Sequence, residues 1–160
     1  MPSGKATRRC VFLDRDGVIN EKAAPHEYIA NWSEFRLLPN ISDWIRIFNA
    51  LDFLVIVVTN QRGVARGIVS NQALDQIHRN MIADLAARGA LIDEVFVCPH
   101  EENVCDCRKP KPGMVLSAQV KWNIDLSNSL LIGDSDEDQA LASVCGLRFL
   151  RVCQGRLLEK

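Results

Sequence analysis

With 160 residues, 48% hydrophobic and 24% charged, the chain has the composition of one globular domain able to bury a core without staples, which excludes disordered and fibrous classes. A formal net charge of −1 leaves no electrostatic footprint for nucleic acid, and no apolar run approaches the roughly 20 residues that span a bilayer. Residues 1–9 carry positive charge without the apolar stretch of a signal peptide, so a soluble, cytoplasmic protein is expected.

The first element is a strand at about Arg9–Leu13, which runs into Asp14-Arg15-Asp16-Gly17. Residues two apart on an extended chain face the same side, roughly 6–7 Å apart. Asp14 and Asp16 therefore share one cleft at the strand's carboxyl end. Two such carboxylates repel unless a cation or a shared proton relieves them. That suits an attacking carboxylate held by a metal beside a second carboxyl serving as general acid. Taken alone, the same residues fit a solvated turn equally well.

Residues 20–40 are too polar and broken for core. Ser42 then N-caps a helix through Leu51, with Trp44, Ile45, Ile47, Phe48 and Leu51 on its apolar side. Phe53–Val58 is a continuous, largely β-branched run, hence a strand buried on both faces. Ser70 caps a second helix to about Arg88, where Leu74, Ile77, Met81 and Leu85 recur at helical spacing and Gly89 ends the element. His78 falls on this helix among polar residues and His26 in a loop; both read as surface histidines. Ile92–Cys98 is the next strand, followed by a cysteine cluster and a helix at about Pro112–Trp122. A strand at Ser129–Ile132 ends in Gly133-Asp134. A short helix at about Glu137–Val144 and a strand at Leu147–Val152 complete the order.

Strands alternating with helices predict an α/β fold with a parallel sheet and right-handed crossovers. Functional groups in such sheets gather at the carboxyl ends of the strands. Asp14, Asp16, Thr59, Asn60 and Asp134 all fall there. The three aspartates offer hard oxygen ligands for magnesium, which prefers carboxylates, waters and phosphate oxygens, and Asp138 lies one helical turn beyond Asp134 to brace them. Thr59 and the amides around Asn60 offer donors to a phosphoryl group, and Lys109 or Lys111 offers a cation. Phosphoryl transfer needs positioning and charge neutralisation above all, and this inventory provides both. Thr59-Asn60-Gln61 alone would pass for a polar turn. Gly133 to Asp138 also reads as a capped helix start with acidic first-turn residues.

Six cysteines divide into two groups. Cys98, His100, Cys105 and Cys107 have the spacing and chemistry of a closed four-ligand zinc site, in a loop at about residues 98–107 too poor in apolar residues to order itself. Cys10, Cys145 and Cys153 sit in apolar stretches and read as buried small hydrophobes.

Asp14-Arg15-Asp16-Gly17-Val18-Ile19-Asn20, Val58-Thr59-Asn60-Gln61, Cys98-Pro99-His100, Cys105-Asp106-Cys107-Arg108-Lys109-Pro110 and Gly133-Asp134 together resemble the haloacid dehalogenase-like phosphatases, in their histidinol-phosphatase and heptose-bisphosphate-phosphatase branch. The resemblance covers nearly the whole chain, in order. It implies a Rossmann-like three-layer fold with a zinc-stabilised loop, and a length of 160 residues leaves room for a single domain over residues 1–160 without a large cap. It further implies Asp14 as nucleophile forming an aspartyl-phosphate, Asp16 as acid and then base, and Thr59 and Lys109 as phosphoryl ligands. Asp14, Asp134 and the Asp16 carbonyl would hold magnesium. Lys109 takes precedence over Lys111 because it occupies the family's lysine position.

The runs Thr59–Gly67 and Pro110–Met114 are more similar to the heptose-bisphosphate members, which implies removal of the 7-phosphate from D-glycero-D-manno-heptose 1,7-bisphosphate. Arg108, Arg66, Asn20, Asn60 and Gln61 would then line the substrate. The four residues between His100 and Cys105 make a shorter zinc loop than those members usually carry, and the chain ends soon after its last strand. The expected partner is a small phosphorylated sugar, with neither nucleic acid nor membrane, and the expected state is a monomer. Histidinol phosphate, or another small sugar or polyol phosphate, is the alternative substrate. A receiver-like phosphoacceptor module and a zinc-anchored interaction domain are the alternatives without turnover.

Overall fold

A computed structural model describes residues 7–153 and 156–157. Six strands form one sheet: β1 (Cys10–Leu13), β2 (Leu54–Asn60), β3 (Glu94–Cys98), β4 (Leu130–Gly133), β5 (Arg148–Cys153) and β6 (Arg156–Leu157). Their spatial order is β3-β2-β1-β4-β5-β6, parallel throughout except for the antiparallel β5–β6 pair. Four helices make the crossovers: α1 (Ile41–Ala50), α2 (Asn71–Ala87), α3 (Gly113–Trp122) and α4 (Asp136–Cys145).

Side-chain alternation along the strands divides the core into two layers. Val11, Leu13, Val55 and Val57 pack on one face with Ile41 and Ile45 of α1 and Ile77, Met81 and Leu85 of α2. Cys10, Phe12, Leu54, Ile56 and Val58 pack on the other with Met114, Val115 and Ala118 of α3 and Leu141 and Ala142 of α4. With both faces covered, β2 is apolar at nearly every position, as its sequence required. The chain winds outward from β1 in both directions, so β1 and β4 neighbour each other at the point where the strand order reverses. Crevices for ligands open at the carboxyl ends there.

Four expectations change. Helix α1 begins at Ile41 after Asn40, whose φ of 66° turns the chain into the helix, so Ser42 lies inside the first turn rather than at the cap. The segment from 20 to 40 does reach the core: Ile29, Phe35 and Leu38 are buried, and Trp32 stacks on Phe35 with ring centroids 4.9 Å apart. Anchors spaced irregularly along a polar chain leave no period to detect. Cys153 is exposed and Cys145 only half-buried, each lying near the end of its element, while Cys10 is fully buried. Finally, Arg156–Leu157 adds an edge strand too short to announce itself in sequence.

Because Ile56 is fully enclosed in the middle of the sheet, Ile56→Ala should lower the unfolding free energy by roughly 2–5 kcal/mol in a urea titration. Val120→Ala, at a side chain 85% exposed on α3, should stay within about 0.5 kcal/mol.

Candidate active site and metal-ligand clusters

The site is assembled around a buried lysine. Lys109 Nζ lies 2.8 Å from Asp14 Oδ1, at the end of β1, and 2.8 Å from Asp138 Oδ1, in the first turn of α4. Two peptide-like bonds fix the lysine's backbone: Asn60 Nδ2 donates to the Lys109 carbonyl at 3.2 Å, and the Lys109 amide donates to Asn60 Oδ1 at 3.0 Å. Lys111 turns away, donating to the Cys105 carbonyl. Of the two lysines, Lys109 is the one that meets Asp14 and Asp138.

Asp138 is held by a capping box. Ser135 Oγ donates to Asp138 Oδ2 at 2.7 Å, and the Asp138 amide donates back to Ser135 Oγ. The expected brace for Asp134 is present, since the Asp134 amide also donates to Asp138 Oδ2. Asp134 itself approaches Gly17 so closely that a Cβ there would stand 2.1 Å from Asp134 Oδ2, and Gly17 has φ +90°. Only glycine satisfies both constraints.

Burial drives the Asp14 carboxyl up to about 7, with the Asp138 charge adding to it and Lys109 opposing. Burial would lower Lys109, but the Asp14 and Asp138 charges more than compensate and raise it. Asp16 behaves oppositely to Asp14. Burial works against its charge, yet the Arg15 guanidinium and hydrogen bonds from Asn20, Arg15 and Gln61 outweigh that and hold it below the usual carboxylate range.

Sequence reasoning missed Arg15 and His78. Arg15 is 1% exposed, forks onto Asp16, and places Nη1 3.1 Å from His78 Nε2. His78 is buried rather than superficial. Its place on the apolar stripe between Leu74 and Met81 was the available signal, obscured by polar neighbours in sequence. Asn20 is fully buried and braces Asp16 and the Glu21 carbonyl, so it supports the acidic pair instead of touching a substrate. Gln61 bridges Asp16 and Thr59, while Thr59 Oγ1 keeps its own proton to donate. Arg66 is paired with Glu101 and Tyr28 at the cleft rim, and Arg108 lies near the His100 carbonyl. Beside these groups, Glu21, Lys22, Glu27, Tyr28 and Glu34 line a cleft of about 620 Å³.

Carboxylate oxygens of Asp14, Asp134 and Asp138 lie within 4.8 Å of one another. Asp134 Oδ1 is buried without a protein partner, which leaves a lone pair for a cation. These hard donors fit magnesium. In the second cluster, Cys98 Sγ lies 3.6 Å from both Cys105 Sγ and His100 Nδ1, Cys107 Sγ lies 3.4 Å from Cys105 Sγ, and His100 Nδ1 lies 3.3 Å from Cys107 Sγ. Tetrahedral zinc at its usual bond lengths sets such edges at roughly 3.6–3.8 Å, and a disulfide would need sulfurs at about 2.05 Å. Three thiols and one imidazole at tetrahedral spacing fit zinc.

A parallel sheet wound from β1, with acidic residues at its carboxyl edge and a lysine among them, is the frame of the HAD-like hydrolases. Residues 106–159 match the family model described as HAD-hydrolase-like. The chain is 38% identical over 155 residues to the D-glycero-beta-D-manno-heptose-1,7-bisphosphate 7-phosphatase of Rhodopseudomonas palustris, covering 92% of this chain and 84% of that one. It is 41% identical over 135 residues to the corresponding alpha-anomer enzyme of Mycobacterium tuberculosis, covering 83% and 70%. The crystal structure of D,D-heptose 1,7-bisphosphate phosphatase from B. bronchiseptica, complexed with magnesium and phosphate, superposes with a TM-score of 0.85 at 33% identity, over 92% of this chain and 83% of that one. The chain belongs to the HAD-like phosphatase family, among the relatives of the heptose-bisphosphate phosphatases.

Burial and the neighbouring Arg15 charge pull His78 down to about 4. Between pH 6.5 and 4 the unfolded chain binds more protons than the native one. The stability linked to His78 is therefore complete above the unfolded value and lost as pH falls through that window. By pH 5 the loss amounts to about 2 kcal/mol. Urea unfolding at pH 7 and pH 5 should show the decline reduced by about that amount in His78→Leu; equal declines in both proteins would refute it.

Proposed function

We propose that the protein is a magnesium-dependent phosphomonoesterase that removes the 7-phosphate of D-glycero-D-manno-heptose 1,7-bisphosphate through an aspartyl-phosphate on Asp14. The observation that carries the reading is the Lys109 ammonium held 2.8 Å from Asp14 at the sheet's carboxyl edge, in a chain related to enzymes of that name.

Asp14 attacks phosphorus, forming the Asp14–phosphorus ester as the bond to the sugar oxygen breaks, and Asp16 delivers a proton to that leaving oxygen. Water then attacks the aspartyl-phosphate, Asp16 takes its proton, and inorganic phosphate leaves. In the resting arrangement Asp16 is ionised by its contacts with Arg15, Asn20 and Gln61, the form required in the second half-reaction. The first half-reaction requires the carboxyl to leave Arg15 and gain a proton. Lys109 and the Thr59 hydroxyl hold the phosphoryl oxygens. Asp14, Asp134 and the Asp16 carbonyl would hold magnesium, which would supply positive charge to draw phosphate toward the acidic edge.

Residues 1–160 act as one phosphatase domain without a large cap, and the sugar is held by the cleft beside Tyr28, by Arg108 and Arg66 at the rim, and by Gln61 deeper in beside Asp16. Cys98, His100, Cys105 and Cys107 would hold zinc, which would order the loop that leads into Arg108 and Lys109. Thiols kept free for zinc suit the reducing cytoplasm, and among the described residues no helix is long and apolar enough to cross a membrane.

Phosphate release with magnesium, compared across heptose 1,7-bisphosphate, histidinol phosphate and other sugar phosphates, should favour the heptose by about a hundredfold or more in kcat/KM. A flat profile would discard the heptose assignment. Asp14→Asn should reduce turnover by at least about 10³-fold; retained hydrolysis would discard the aspartyl-phosphate. Cys107→Ser should lower both zinc content and Tm, since a closed zinc site contributes folding energy directly.

A further inference from the structure

Two of the cations at the acidic edge are fixtures: Arg15 and Lys109 are buried, each with two partners. Lys22 differs. Its side chain is 53% exposed, it belongs to the irregular segment after β1, and its Nζ lies 2.5 Å from Asp134 Oδ2. Gly17 makes room for this approach as well, because a Cβ there would stand 2.9 Å from Lys22 Cε. The pair at Asp134 is thus an ion pair half open to solvent on the lysine side and enclosed on the carboxylate side.

An ammonium at that distance and a magnesium ion at roughly 2.0–2.1 Å compete for the same carboxylate and repel each other across it. The lysine also has an alternative resting place. It lines the cleft that holds Glu21, Glu27 and Glu34, three carboxylates within the same open volume, and its long stem is half in solvent. We propose that Lys22 is a displaceable counter-ion: it neutralises Asp134 in the metal-free protein and is expelled into the cleft when a divalent cation takes that carboxylate. The proposal rests on the reading of Asp14 and Asp134 as magnesium ligands. It makes Lys22 a positioning residue that sets the metal affinity of the site.

The test is Mn²⁺ binding to zinc-replete protein without substrate, followed by the electron paramagnetic resonance signal of the free ion. Lys22→Met should bind Mn²⁺ roughly three- to tenfold more tightly than the unaltered protein, and Lys22→Arg, which keeps the charge, should bind as weakly as the original. Arg151→Met is the control for charge alone: Arg151 lies against the Asp134 carbonyl and pairs with Asp136, away from the Asp134 carboxylate. It should leave the affinity within about twofold. In the absence of metal, Lys22→Met should also have the lower Tm, because Asp134 loses its counter-ion. Equal Mn²⁺ affinity in Lys22→Met and the unaltered protein, or equal tightening in Arg151→Met, would overturn the proposal while leaving the metal site intact. No Mn²⁺ binding in any of the four proteins would overturn the magnesium reading itself.

Discussion

A single ammonium between two buried carboxylates organises this protein. Charges removed from water are costly unless each finds a partner, and taking one member from such a group leaves the others uncompensated. Lys109 joins the end of β1 to the first turn of α4, and its backbone is held by Asn60 at the end of β2. Three elements that sit apart in sequence are thereby tied at one point. The rest of the edge repeats the solution: Arg15 answers Asp16, and Lys22 answers Asp134. Four carboxylates thus share three cations, an arrangement short of positive charge and suited to receive a metal ion.

The two aspartates of the first motif show how neighbours divide labour by environment. Asp14 is shielded and pushed toward neutrality, whereas Asp16 is held ionised by a guanidinium and three amide or guanidinium hydrogen bonds. Paired titratable groups with divergent environments are a recurrent sign of acid–base chemistry. The same geometry explains the buried Arg15: its fork is satisfied by Asp16 on one side and by the neutral imidazole of His78 on the other.

Much of this was legible in the chain. The apolar run of β2, the helical spacing of Leu74, Ile77, Met81 and Leu85, and the capped start of α4 each declared themselves through period or capping chemistry. Asp14, Thr59 and Asp134 lie together at the sheet's carboxyl edge because each lies at the end of a strand or directly follows one. What escaped depends on packing between distant segments. Phe35 and Leu38 are core residues in a segment without periodicity, and His78 becomes a partner only once α2 lies beside Arg15. Asn20 has the side chain of a substrate ligand, but full burial beside Asp16 makes it a brace. Lys22 gave no signal, since nothing local marks a lysine in a loop as the mate of an aspartate more than a hundred residues away.

The double hydrogen bond between Asn60 and the Lys109 backbone has a consequence for how such a domain can diversify. Lys109 follows Cys107, the last member of the thiol and imidazole cluster, by two residues, but its position is secured from the sheet and from α4 as well as from the loop. Residues between His100 and Cys105 can therefore be added or deleted without moving the ammonium. Anchoring the lysine from the sheet decouples the length of the rim from the registry of the chemical centre, so the shape of the opening can vary while the bond-breaking apparatus stays fixed.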